Sequence, residues 1–372
     1  MKMKSRLARS VTVTGVGAVA LALLNARLFP PRPEDQPGAT AVAAVEDAVP
    51  QGAGLATKYP GDAGIERDPA VLFAEDFEAG TVEEIGKRWG DLSNKGGKVV
   101  ALSDDAAPAG SGKRSLQMTA TRGENEGGHL FKVLEPGHDQ LYCRFYVKFA
   151  PDHGFIHHFV KLQGAIDPPR YPVGGAGSRP TDSWTTGIEP ADASRHKYPG
   201  TPFPPPGIWH FYTYWPEMRS WENPDGTGTS FYGNNFEPKD PIVVPRDKWI
   251  CVEFMVRMNS DPDKTDGEQA FWIDGKLAGR FAPGSVVGYW MRDCYRLDDE
   301  KGKPFEGFRW RKDPRLTVNK LWLLHYVSEN AFKMNDDYAA KHAEVRINAK
   351  TATVWFDDIV VARGYIGPVS RG

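Results

Sequence analysis

The chain is poor in cysteine, in net charge and in long apolar runs, and each shortage removes a class of protein. Three cysteines in 372 residues, Cys143, Cys251 and Cys294, cannot build a disulfide framework, and none sits in a paired metal-binding spacing. Cys143 and Cys251 lie inside apolar strand-like runs, where a buried thiol serves as a small hydrophobe. Lysine and arginine total 46 against 48 aspartates and glutamates, a formal charge of −2, so no general basic field exists for nucleic acid. A polyanionic partner has to be met by a local cluster. Gly174-Gly175-Ala176-Gly177 lacks the following Lys-Ser/Thr of a phosphate loop and reads as a rim loop.

The sustained apolar run, Val11 to Leu24, follows Lys2, Lys4, Arg6 and Arg9. It is short for a membrane span and has the form of an export signal over residues 1–26, either cleaved near Ala26 or kept as a membrane anchor. Residues 27–66 are rich in Ala, Pro and Gly without periodicity, which predicts a disordered spacer. The folded part is then 67–372, one secreted or periplasmic domain expected to be a monomer.

Helical periodicity is scarce too, being clear only over Asp336 to Val345. What is there instead is a series of short β-branched and aromatic runs, with 39 glycines and 30 prolines spread among them as turns. They include Leu141 to Phe149, Ile156 to Leu162, Ser183 to Ile188, Ile208 to Trp215, Trp249 to Met258, Leu321 to Tyr326 and Ala352 to Val361. Asp274-Gly275 within Phe271 to Leu277 predicts a type I′ hairpin. The pattern is all-β, a sandwich or jelly roll with long loops.

Trp209-His210-Phe211-Tyr212-Thr213-Tyr214-Trp215 carries the most chemistry. On a strand, residues i and i+2 share a face, so Tyr212 and Tyr214 stand side by side as a proton-transfer pair, with His210 in the same row. The same period places His157 with Lys161 and turns His158 to the other face. At the start of the domain Asp76 and Glu78 share one face of a strand end. With Asp357 of the closing strand they offer oxygen ligands for a structural Ca²⁺. Glu253 shares a face with Met255 and Arg257, where a cross-strand ion pair competes with a catalytic reading.

Phe73-Ala74-Glu75-Asp76-Phe77-Glu78, Trp272-Ile273-Asp274-Gly275 and Phe356-Asp357-Asp358-Ile359-Val360-Val361 together resemble the concanavalin A-like lectin/glucanase superfamily of jelly rolls. More narrowly, Lys161-Leu162-Gln163-Gly164, Gly174-Gly175, Trp184-Thr185-Thr186-Gly187-Ile188 and Tyr212-Thr213-Tyr214, in that order, are similar to polysaccharide lyases of the family 14 and family 20 type. The resemblance spans about residues 70 to 365. It implies β-elimination of an acidic polysaccharide such as alginate or glucuronan on one concave sheet, without a catalytic cofactor. Lys161, Tyr212 and Tyr214 would be catalytic, with His157, Gln163, Arg179, Thr185, His210 and Trp184 binding substrate.

That chemistry makes sense of the residue types. Removing the C5 proton of a uronate requires its carboxylate to be neutralised by a cation, a base for the proton and an acid for the departing C4 oxygen. The chain departs from the pattern where related lyases carry an arginine, having Thr185, Thr186 and Gly187 there, with Arg179 and Arg170 as possible substitutes. Two other readings stay open. Trp184, Trp209, Trp215 and Trp221 could stack on sugars in a non-catalytic binding protein, and a glycoside hydrolase with two carboxylates could use the same fold.

Overall fold

A computed structural model describes residues 49–371 apart from 109, 111, 192–202 and 223–227. The export segment and residues 27–48 of the spacer lie outside the described residues. No helix among the described residues is long and apolar enough to cross a membrane.

The described strands form an eight-stranded and a ten-stranded sheet, packed face to face as a jelly-roll sandwich, and a separate two-stranded pair. Alternation along each strand decides which side chains enter the core. Phe145 and Phe254 of the smaller sheet meet Phe159 and Phe211 of the larger, with ring centroids 6.2 and 6.4 Å apart, and Leu162, Ile188, Leu321 and Leu323 complete that layer. All three cysteines are buried and none is in a disulfide. Asp274 and Gly275 both adopt positive φ, 48° and 76°, as a type I′ turn requires.

Several elements differ from expectation, among them a second helix, Val82–Trp89, whose N-terminus is capped by Thr81. Residues 49–67 form three short 3-10 turns, not a spacer, and bury Ala56 and Ile65 on the outer face of the smaller sheet against Trp272 and Tyr365. The helix spans Glu329–Ala339, capped by Ser328 Oγ, which accepts from the Ala331 amide. A long strand at Gly127–His138 had no forecast, because Gly127, Gly128, Pro136 and Gly137 interrupt its pattern. That strand holds Val318–Tyr326 in the larger sheet, and Val318–Tyr326 in turn holds Val160–Ala165.

Candidate active site

Four neighbouring strands of the larger sheet run Val318–Tyr326, Val160–Ala165, Ser183–Ala191 and Ile208–Tyr214. Antiparallel register sets their outward side chains in rows. Trp322, Lys161, Gly187 and Tyr212 form one row, and Lys320, Gln163, Thr185 and Tyr214 the next. Over the first row opens a cavity of about 500 Å³ lined by Lys161, Tyr212, Tyr214, His157, His158 and Trp322 among others. Cross-strand pairing therefore brings together the lysine and the two tyrosines.

The tyrosine rings meet edge to face with hydroxyls 3.4 Å apart. Tyr212 Oη also accepts from the Gly233 amide at 2.9 Å and keeps its own proton free to donate to Tyr214. Gly233 is needed for that approach, since a Cβ there would lie 2.6 Å from the Tyr212 ring and 2.8 Å from that of Tyr214. Burial pushes both phenols above their ordinary range, while hydrogen bonds from Tyr212 and Gly233 partly offset the rise for Tyr214. Tyr214 is thus the better placed of the two to ionise.

Beneath the lysine lies Glu189, a buried carboxylate overlooked in the sequence. It accepts from the Phe159 amide at 3.2 Å, lies 3.3 Å from His158 Nδ1 and 3.9 Å from His210 Nε2. Burial would push this carboxyl up; His158, Lys161 and His210 more than offset that and hold it below its ordinary value. Burial in turn pulls Lys161 down, opposed by the Glu189 charge, and its ammonium sits 5.2 Å over the Trp322 ring. The signal for Glu189 was period two: Thr185, Gly187 and Glu189 share one face of their strand.

The histidines are not arranged as the strand period predicted. His158 pairs with Tyr326 through an isolated bridge that is one residue out of register with the Lys161–Trp322 pair, so the alternation breaks ahead of Val160 and His157 and His158 do not point oppositely. Both line the cavity, stacked at 4.4 Å, in a pile that runs Tyr212, His158, His157, Tyr326. His158, not His157, touches Glu189.

The other residues divide. Gln163, Thr185 and Trp184 line a second cavity of about 170 Å³ that shares Gly174, Gly175 and Tyr214 with the first. His210 is buried under the site beside Glu189. Arg179 is turned away, donating to the Met218 carbonyl at 3.0 Å and lying over Phe231, and Arg170 pairs with Glu135. Neither substitutes for the absent strand arginine. Trp184, Trp209 and Trp215 are core residues, 2%, 0% and 4% exposed, so they offer no open stacking platform. The Trp221 side chain lies outside the described residues. Trp322, missed in the sequence, is the tryptophan that faces the first cavity.

On the smaller sheet, Glu253 makes no cross-strand ion pair; its two oxygens accept from the Ile366 and Gly367 amides, both at 2.8 Å. The carboxylates expected to bind calcium are also committed to backbone. Asp76 Oδ1 accepts from Glu78, Glu78 Oε1 from Lys113 and Arg114, and Asp357 from Ala107 and Asp358. Among the described residues no group of three or more His, Cys, Asp or Glu is placed to hold a metal. Two buried carboxylate oxygens there lack a hydrogen-bond partner, Oδ2 of Asp358 and Oδ1 of nearby Asp62.

Fold and site together define a β-sandwich protein with a lysine and two hydroxyl-paired tyrosines at the floor of a cleft. Among solved structures the chain is similar to polysaccharide lyases. They include the PL-14 alginate lyase of Aplysia kurodai, 12% identical, covering 79% of this chain and 99% of that one at a TM-score of 0.48. A double mutant of the alginate lyase Aly36B in complex with alginate tetrasaccharide is 12% identical, covering 79% and 97% at 0.47. The endo-β-1,4-glucuronan lyase of Trichoderma reesei is 14% identical, covering 78% and 95% at 0.36. No protein-family model and no curated protein matches. At such identities the chemistry has to be argued from this chain's own residues.

Proposed function

We propose that this chain is an exported polysaccharide lyase that cleaves a uronate-containing polysaccharide by β-elimination. The observation that carries this reading is the Tyr212–Tyr214 hydroxyl pair, 3.4 Å apart, in one cavity with Lys161. Lys161 neutralises the uronate carboxylate, which makes the C5 proton acidic enough to remove. Tyr214, as the phenolate held by the Tyr212 hydroxyl, takes that proton. The C5–H electron pair becomes the C4=C5 double bond as the C4–O bond breaks, and O4 leaves with a proton returned by the tyrosine pair. Glu189 keeps Lys161 charged and His158 in place.

Hydrolysis is less well supported, because Glu126 is the one carboxylate lining the cavity among the described residues and two facing carboxyls are needed. Export is carried by the basic and apolar N-terminal segment, a signal or an anchor. A structural Ca²⁺ belongs to this reading only beside Asp358, whose buried Oδ2 lacks a partner.

The test is the ultraviolet absorbance of the conjugated double bond, followed with the full chain on alginate, glucuronan and other polyuronides. A rise that is lost in Tyr214→Phe and Lys161→Ala, both still folded, is the expected result. No rise on any polyuronide would sink the proposal.

A further inference from the structure

One cation near the site has no role in the chemistry above. Lys320 is 4% exposed, and no described residue gives its ammonium a hydrogen bond or an ion pair. It faces the second, 170 Å³ cavity beside Gln163, its direct cross-strand partner. Gln163 donates through Nε2 to Thr185 Oγ1 at 3.1 Å and leaves its buried Oε1 without a partner. A buried ammonium facing no counter-charge costs stability, since desolvation is not offset. Burial pulls Lys320 down to about 8, so it still carries its proton at neutral pH. A charge kept in that state, at the floor of a cavity that shares Tyr214, Gly174 and Gly175 with the reaction cavity, waits for an anion from the ligand.

We propose that Lys320, flanked by Gln163, binds the carboxylate of the uronate residue next to the one undergoing elimination. Lys320 lies two strands from Gly187, in the row adjacent to Lys161. The cation absent from the Ser183–Ala191 strand is thereby supplied at a neighbouring subsite, while Lys161 alone serves the reacting residue. Gln163 Oε1 accepts either from the Lys320 ammonium or from a sugar hydroxyl of the same residue. The consequence is a requirement for at least two consecutive uronates, with selection against polymers in which charged and neutral sugars alternate. This rests on the lyase reading of the same cleft.

The experiment compares Lys320→Met and Lys320→Arg with the wild type on a polyuronide, and measures calorimetric binding of uronate oligosaccharides and their carboxyl-reduced counterparts in a Tyr214→Phe background. Lys320→Met is expected to raise KM tenfold or more with kcat within about twofold, and Lys320→Arg to recover most of the loss. Binding should weaken for the acidic oligosaccharide and stay unchanged for the reduced one. Equal weakening of both ligands, or no change in KM, would overturn the subsite. Gln163→Leu gives an independent check if Lys320→Met fails to fold: it too should raise KM with kcat kept. A wild type that neither cleaves nor binds any polyuronide removes the lyase reading and this subsite with it. A wild type that cleaves, with Lys320→Met unchanged, removes the subsite alone.

Discussion

Gly187 stands directly across the strand pair from Lys161, and a Cβ at position 187 would lie 3.1 Å from Lys161 Cγ and 3.3 Å from Glu189 Oε2. The missing side chain leaves room for the stem of the lysine, whose ammonium lies over Trp322 of the strand on its other side. An arginine on this strand and the present Lys161 placement therefore compete for one volume.

Gly187→Ala should leave the fold intact, since the neighbour to be displaced is a flexible stem, yet move Lys161 by a few tenths of an ångström. A loss of about tenfold in kcat/KM is expected, in line with the sensitivity of positioned groups to small displacements. Gly187→Arg should lose far more, because the added side chain occupies the lysine's path. Steady-state rates of double-bond formation measure both, and an Arg variant as active as wild type would contradict this packing.

Glu189→Gln removes the charge that supports Lys161 against burial. The lysine's pKa then falls further, so the alkaline decline in rate should move to lower pH, with kcat reduced about 10- to 100-fold at neutral pH. A neutral Gln keeps the shape and can still accept from the Phe159 amide. An unchanged alkaline limb would show that Glu189 does not act through Lys161.

Activity should rise with pH on the acid side. Burial holds Tyr214 above its ordinary range, so at neutral pH only a small fraction is phenolate, and that fraction grows tenfold per pH unit. The profile of kcat/KM is then expected to climb with unit slope through neutrality and to decline only where Lys161 loses its proton. Tyr212→Phe removes the hydroxyl that stabilises the Tyr214 phenolate, so it should shift the climbing limb to higher pH and lower the rate about 10²-fold.

The parts of this site that were legible in the sequence are those governed by strand period. Tyr212 and Tyr214 are two apart in a run of aromatic and β-branched residues, and the strand forms where that run lies. Lys161 was named from the resemblance of its segment to the lyases, and cross-strand pairing sets it in the row of Tyr212. His157 and His158 were misplaced because the register slips by one residue between the Lys161–Trp322 pair and the His158–Tyr326 bridge, and ring stacking and Glu189 then fix the two rings. Lys320 and Trp322 were hidden inside an apolar run whose even positions face the cleft and whose odd positions, Leu321 and Leu323, enter the core. The Gly233 amide comes from a loop, and no local pattern announces which loop folds over a given strand.

Stability should fall as pH rises from mildly acidic toward 8, the reverse of ordinary acid denaturation. Burial pushes Glu253 up to about 7 from an ordinary 4.5, despite the opposing hydrogen bonds from the Ile366 and Gly367 amides. Burial, with repulsion from Asp358, also pushes Asp357 well up, and burial pushes Asp358 up against the opposing Arg144 charge, helped by Asp62, Asp76 and Glu78. Between roughly pH 4.5 and 7 these carboxyls hold protons in the folded chain that they release in the unfolded one, and their contribution to ∂ΔG/∂pH of unfolding is negative there. The stabilisation is complete below the unfolded value and is lost as pH passes the folded one. For Glu253 alone the difference amounts to about 3 kcal/mol at most. Below about pH 6.5 the buried His153 and His325 and the cavity-lining His157, all held below the ordinary imidazole range, act in the opposite direction, so melts at pH 6.5 and pH 8 make the comparison: the higher Tm is expected at pH 6.5, and Glu253→Gln should narrow the gap by removing one of the protons involved. Ca²⁺ seated beside Asp358 would replace the proton there, so the cation should raise Tm most at pH 8, where the pair is charged. Tm values that rise from pH 6.5 to pH 8 without added cation would mean that these three carboxyls ionise in the folded chain as readily as in water.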